Sequence, residues 1–257
     1  MIKKFFAFAA IAAMIMACEP TATPTPDNGD VNGGENTETP APEETPGDEE
    51  PAAAITIDGE FADWDNLEGV QVATLPAGDV QYEQLKTFKM YADAEFIYVF
   101  CEFDPENTLV FVPYFDLDGD PTTGNDSKWS GAGYEAKAEG SVFEELDGPA
   151  QGAAHAWDPA FYYYGDPSDV LASGMITTSS VPAPYKGGST YAFEASILRE
   201  VLVDSYAAIF SGTKTDSFTM GMIQYDLNWD YIGKLPCKTL EQIEAGEKEP
   251  MLTVVLP

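Results

Sequence analysis

From Ile55 onward the chain alternates apolar and polar positions with a period of two, the spacing that places successive side chains on opposite faces of a strand. Lys86 to Ala92 puts Phe88, Met90 and Ala92 on one face. Glu95 to Phe103 sets Ile97, Val99, Cys101 and Phe103 against Tyr98, Phe100 and Glu102. Thr108 to Phe115 and Tyr191 to Ala195 predict two further strands, and Leu252 to Leu256 a short one closing the chain. Ser217 to Tyr225 alternates Phe218, Met220 and Met222 with Thr219, Gly221 and Ile223. Helical signals are few. Ile197 to Val203 predicts a turn or two, and Thr239-Leu240-Glu241-Gln242 reads as a capping box opening a short helix that stops at Gly246. Strands without long helices between them predict an all-β fold, an antiparallel β-sandwich of jelly-roll type with one or two short helices, over residues 55–257. Trp64, after a turn at Gly59, is expected to plug one end of it.

The segment before Ile55 has a different character. A short positive start, Lys3-Lys4, leads into an apolar run from Phe5 to Ala17, too short to span a membrane and fitting a secretory signal over residues 1–17. The run ends Ile15-Met16-Ala17-Cys18, which resembles a bacterial lipobox and implies a lipid on Cys18. Residues 18–54 are then rich in Pro, Thr, Glu, Asp and Gly, with ten acids and no Lys or Arg between Glu19 and Ala54. Such a segment buries too little apolar surface to offset the entropy of ordering, so it is expected to be a disordered spacer with an upper reach on the order of 100 Å. The expected location is a bacterial outer membrane, with the chain lipid-anchored and facing the cell surface.

Charge narrows the partners. The formal net charge is −32, from 44 acids against 12 bases. A surface this negative repels phosphate backbones and anionic headgroups, which excludes nucleic acid and leaves the lipid as the membrane contact. It suits neutral ligands and divalent cations, although acidity also serves plain solubility. With Cys18 assigned to lipid, Cys101 and Cys237 remain. A bridge between them and two separate core thiols both fit the sequence.

Two patterns carry candidate chemistry. The first is Asp116-Leu117-Asp118-Gly119-Asp120-Pro121-Thr122-Thr123-Gly124, whose acids alternate on a loop bent by Gly119 and Pro121. Calcium takes six to eight oxygens, and alternating carboxylates on a bent loop can supply several. The expected ligands are Asp116, Asp118, Asp120 and Thr122, with Asp126 completing the shell and a structural calcium as cofactor. An acidic turn without metal is the plainer alternative.

The second pattern is aromatic. Trp129 follows the acidic loop, and Trp157, Phe161, Tyr162, Tyr163 and Tyr164 crowd one segment. Trp229 and Tyr231 lie in Asp226-Leu227-Asn228-Trp229-Asp230-Tyr231. Sugars present flat C–H faces to aromatic rings while neighbouring carboxylates and amides accept from their hydroxyls. Trp129, Trp157, Trp229 and Tyr231 are therefore candidate glycan platforms, while Phe161 and Tyr163 fit better as core. Catalytic signals are sparse: there is one histidine, His155, and neither a nucleophile elbow nor zinc spacing.

Several short motifs also resemble one known set. Ile55-Thr56-Ile57-Asp58-Gly59 with Asp63-Trp64 is similar to the start of family nine carbohydrate-binding modules and the wider DOMON-like sandwiches, as is Phe96-Ile97-Tyr98-Val99-Phe100. Phe115 to Gly124 followed by Gly131-Ala132-Gly133-Tyr134-Glu135 resembles a later stretch of the same superfamily, and so does Tyr191-Ala192-Phe193-Glu194 with Ile197. Glu135 and Leu198 depart from the pattern, which has Asp and Pro there. The resemblance implies a β-sandwich, bound calcium in many members, and attachment to glycan-processing systems. The expected function is thus non-catalytic capture of a poly- or oligosaccharide beside an outer-membrane glycan importer. A calcium-stabilised structural or adhesive lipoprotein without glycan binding is the alternative.

Overall fold

A computed structural model describes residues 54–146, 151–163, 170–172, 177–204, 214 and 216–257. The expected signal, Cys18 and nearly all of the spacer lie outside the described residues, as does Tyr164. In chain order the strands are β1 (Gln71–Thr74), β2 (Leu85–Ala92), β3 (Phe96–Phe103), β4 (Thr108–Asp116), β5 (Ala136–Ser141), β6 (Phe143–Glu145), β7 (Gln151–Ala154), β8 (Ala160–Tyr163), β9 (Val170–Ala172), β10 (Thr177–Ser179), β11 (Ala183–Pro184), β12 (Tyr191–Leu198), β13 (Ser217–Asp226), β14 (Tyr231–Leu235) and β15 (Leu252–Val255). The one α-helix among the described residues, α1 (Leu240–Glu244), opens on the expected capping box at Thr239 and Gln242 and is followed by Gly246 at φ +82°. No described helix is long and apolar enough to cross a membrane. The expected helical turn after Ile197 arrives late: β12 runs to Leu198, and a single wide turn covers Glu200–Asp204.

The strands form an antiparallel sandwich, as the alternation predicts. One sheet runs β1-β2-β3-β12-β10, with β11 also on β12; the other runs β14-β13-β4-β5-β8-β9, with β15 also on β13. β6 and β7 make a separate ribbon. Register carries the alternation across each sheet, so Val99 lies opposite Met90 and Ala195, and Met220 opposite Phe115. The core between the sheets is made by Phe88, Val99, Phe103 and Phe193 from the first and Phe111, Phe115, Phe161 and Met220 from the second. The β4–β5 ladder pairs Phe111 with Gly140 and Tyr114 with Lys137 but is interrupted between, where Pro113 has no N–H to give. At one edge the sheets touch: Gln84 N donates to Ile232 O at 2.9 Å.

Both sheets are also covered on their outer faces, which is why β4 is buried along its whole length. On the first sheet, Ile55, Trp64, Tyr98, Phe100 and Ala192 form an outer cluster. Trp64 therefore lies on a sheet face, where its Nε1 donates to Glu194 Oε2 at 2.8 Å, and does not plug the sandwich end. Glu194, fully buried on β12, also accepts from Gly59 N at 2.9 Å and Asp58 N at 3.2 Å. Three donors offset part of the desolvation of one carboxylate and fasten the entering segment to the sheet. On the second sheet, Trp129, Tyr134 and Met251 pack over Val110, Val112, Tyr114, Ile223 and Tyr225. Cys101 is buried in the core and Cys237 half-buried, and both are free thiols.

Candidate functional site

The acidic loop leaves the end of β4 and is folded by its own side chains. Gly119 N donates to Asp116 Oδ1 at 2.6 Å, and Asp120 N to Asp118 Oδ1 at 2.8 Å. Thr122 turns both its N–H and its hydroxyl to Asp120 Oδ1, and Thr123 Oγ1 donates to Asp118 Oδ2. The loop then pairs back on itself, Asn125 bridging Tyr134, and brings Glu135, just ahead of β5, beside Asp116. One carboxylate oxygen from each of Asp116, Asp118 and Glu135 lies within 4.8 Å of the others. Gly124, at φ +62°, is what lets the carboxylate in: a Cβ there would stand 2.4 Å from Glu135 Oε1.

This grouping differs from the expected ligand set. Asp120, Thr122 and Asp126 are exposed and lie outside the cluster, because Asp120 is taken by Thr122 and Asp126 follows the turn at Gly124. Glu135 takes the third place. It is near in space through strand pairing and distant in sequence, which hid it from a reading of the loop alone. Burial first, and then the charge of Asp118, pushes the Asp116 carboxyl up to about 6 and Glu135 to about 7. Glu135 Oε2 accepts from Leu117 N at 2.8 Å, but buried Oε1 has no hydrogen-bond partner. Lys214, whose N–H bonds to Leu117 O, lays its ammonium beside Gly119 and draws Asp116 partly back down. Like-charged carboxylates with an orphaned buried oxygen fit a hard cation, which could be held here with water or backbone oxygens completing the shell.

The four aromatic candidates separate. Trp129 is fully buried, its ring flat on β13 where a Cβ at Gly221 would stand 2.5 Å from Cζ2, and its Nε1 donates to Pro236 O at 2.8 Å. Trp157 is buried in the core and donates to Gly140 O at 3.1 Å. Neither presents a face to a ligand, because each fills the space left by a glycine on the strand it covers. Trp229 is 51% exposed at the tip of the β13–β14 hairpin, and Tyr231 is half-buried behind it.

The hairpin is built to hold Trp229 out. Asp226 Oδ1 accepts from both Asn228 N and Asp230 N at 2.8 Å, and Trp229 N donates to Asp226 O at 3.0 Å. Trp229 thereby sits at φ +65°, a left-handed conformation rare for a bulky residue and strained by about 1–3 kcal/mol. Behind it Tyr225 packs at 5.7 Å from Trp229 and 4.9 Å from Tyr231, and its hydroxyl bonds to that of Tyr114 at 2.9 Å.

Below Trp229 lies a groove of about 260 Å³ on the outer face of the second sheet, lined by Val110, Glu139, Ser141, Glu145 and Tyr162 among others. Register explains the composition. Val110 pairs with Ser141 and Tyr225, and Tyr114 pairs with Lys137, which pairs with Tyr162. Glu139 is ion-paired to Lys137. The groove thus offers an apolar floor, an exposed indole and a phenol at its walls, and carboxylate and hydroxyl acceptors between. Tyr162 was visible in the sequence only as one of a crowd of rings, while Glu139 and Ser141 carry no signal apart from the alternation of β5. His155 bonds to Ala156 O at 2.8 Å through Nδ1 and to Ser141 Oγ at 3.3 Å through Nε2, so it helps to fix the hydroxyl of Ser141.

Neither a protein-family model nor a curated protein matches the chain. Among solved structures, the chain is similar to a family 9 carbohydrate binding module from Caldicellulosiruptor kristjanssonii, solved in complex with cellotriose, at 12% identity and a TM-score of 0.40 over 79% of this chain and 90% of that one.

Proposed function

We propose that this domain binds carbohydrate, without catalysis of its own, in the groove beneath Trp229. The observation that carries the reading is an indole held half in solvent, in a strained backbone conformation, over a groove with carboxylate and hydroxyl acceptors. Strain at an exposed aromatic is retained where the ring has work to do, and a flat C–H sugar face on the indole with hydroxyls to Glu139 and Ser141 is the chemistry that suits it. A structural calcium at Asp116, Asp118 and Glu135 stiffens the loop that leads into buried Trp129 and so the sheet face beneath the ligand. A lipid on Cys18 and the acidic spacer hold the domain at the outer-membrane surface, where a captured poly- or oligosaccharide passes to a glycan importer. The experiment is affinity electrophoresis of the parent and Trp229→Ala across a panel of soluble polysaccharides. Retardation in the parent that falls at least tenfold in the variant is expected, and equal retardation would remove the site.

The burial of Trp129 and Trp157 favours a second reading, a calcium-stiffened structural or adhesive surface domain without a glycan ligand. It predicts no retardation of the parent on any polysaccharide while calcium still raises the melting temperature.

A further inference from the structure

Three of the chain's 12 basic residues meet on the sheet face that carries the groove. Lys137 stands on β5 and Lys234 on β14, and Lys128 rises from the loop just before Trp129. Lys137 is paired with Glu139, and Lys234 with Glu249 at 2.5 Å. Lys128 forms no ion pair among the described residues; its Nζ lies 4.5 Å from the ring centroid of Tyr231. Partial burial lowers its pKa first, and the ammoniums of Lys137 and Lys234 lower it further. In a chain with 44 acids, this ammonium feels two others and, among the described residues, has no carboxylate partner, so the ring face of Tyr231 is what favours its charge. Ring contacts then run without a break from Lys128 through Tyr231 and Tyr225 to Trp229.

Resting on the carbohydrate reading above, we infer that the ligand is a mainly neutral oligosaccharide bearing one carboxylate, received by the Lys128 ammonium beside Tyr231 while Trp229 takes a sugar face. The single charge follows from the surroundings. One unpaired ammonium satisfies one carboxylate, whereas Glu139 and Glu145 in the groove and a net charge of −32 repel a polyanion. Arginine-like bidentate geometry is not needed, since a lysine meets a carboxylate as a point charge.

The test is isothermal titration calorimetry of the full chain with three probes: a xylo-oligosaccharide carrying one glucuronic acid branch, the same oligosaccharide without the branch, and an oligogalacturonate of equal length. The branched probe is expected to bind at least tenfold tighter than either of the others. Lys128→Gln should make the branched and unbranched probes bind alike, and Lys128→Arg should restore the preference in part. Equal affinity of the parent for branched and unbranched probes, a preference that survives Lys128→Gln, or tightest binding of the oligogalacturonate would each overturn the inference and leave the groove standing. Absence of binding by every probe, with no polysaccharide retarded, would overturn the carbohydrate reading and this inference together.

Discussion

Trp229 is held at φ +65° by a turn in which Asp226 accepts two hydrogen bonds, a conformation that its indole strains and that glycine would adopt freely. Trp229→Gly is therefore expected to keep or raise the melting temperature while abolishing retention on polysaccharide; a fall of several degrees would show the ring to be structural instead. Trp129 is the converse case. Trp129→Ala should destabilise the domain by about 3–5 kcal/mol in chemical denaturation, because it empties the space over Gly221 and strands Pro236 O. The carboxylates of the acidic cluster make a third residue-scale prediction. Asp116 at about 6 and Glu135 at about 7 hold their protons more tightly in the fold than in the unfolded chain, where carboxyls titrate near 4. Their contribution to stability is thus present in full below about pH 4 and lost as pH rises through about 6 and 7. Glu194, raised by burial, acts in the same sense. Calorimetry in chelator should show the melting temperature falling between pH 5 and 7.5, and millimolar calcium, which favours the ionised carboxylates, should flatten that fall.

The elements were legible because strands advertise their faces. β2, β3, β4 and β13 lie within a residue or two of where the alternation puts them, and Thr239 with Gln242 marks α1 by a purely local bond pattern. What alternation hides is the cover on the outward face. Tyr98 and Phe100 look like a second apolar face in the sequence, but nothing nearby says that Trp64 covers them through a carboxylate on β12. The same blindness left Glu135 out of the acidic cluster, since Asp126 is adjacent along the chain and Glu135 is adjacent across a turn. β13 shows how narrow the fit becomes once both faces are covered. Gly221→Ala would drive a methyl group into the Trp129 indole, and the expected cost is about 1–3 kcal/mol, read from the denaturation midpoint with an unchanged slope.

For the molecule as a whole, charge and the apolar N-terminal run give expectations of their own. If Cys18 carries the proposed lipid, the chain is expected to stay with membranes on cell fractionation and to incorporate labelled fatty acid. Cys18→Ser should send it to the soluble fraction unlabelled. The clamp at Glu194 then has a mechanical meaning. Tension arriving at Ile55 meets that buried side chain and the Thr56 N bond to Asp63 Oδ2, and then three hydrogen bonds gathered at one carboxylate, two from the turn at Asp58 and Gly59 and one from an indole. Those bonds would act as a strain relief, yielding as a short strap before the load reached the ladder of β3 and β12. The entering segment would then peel from the outer face of the sheet without opening the sandwich.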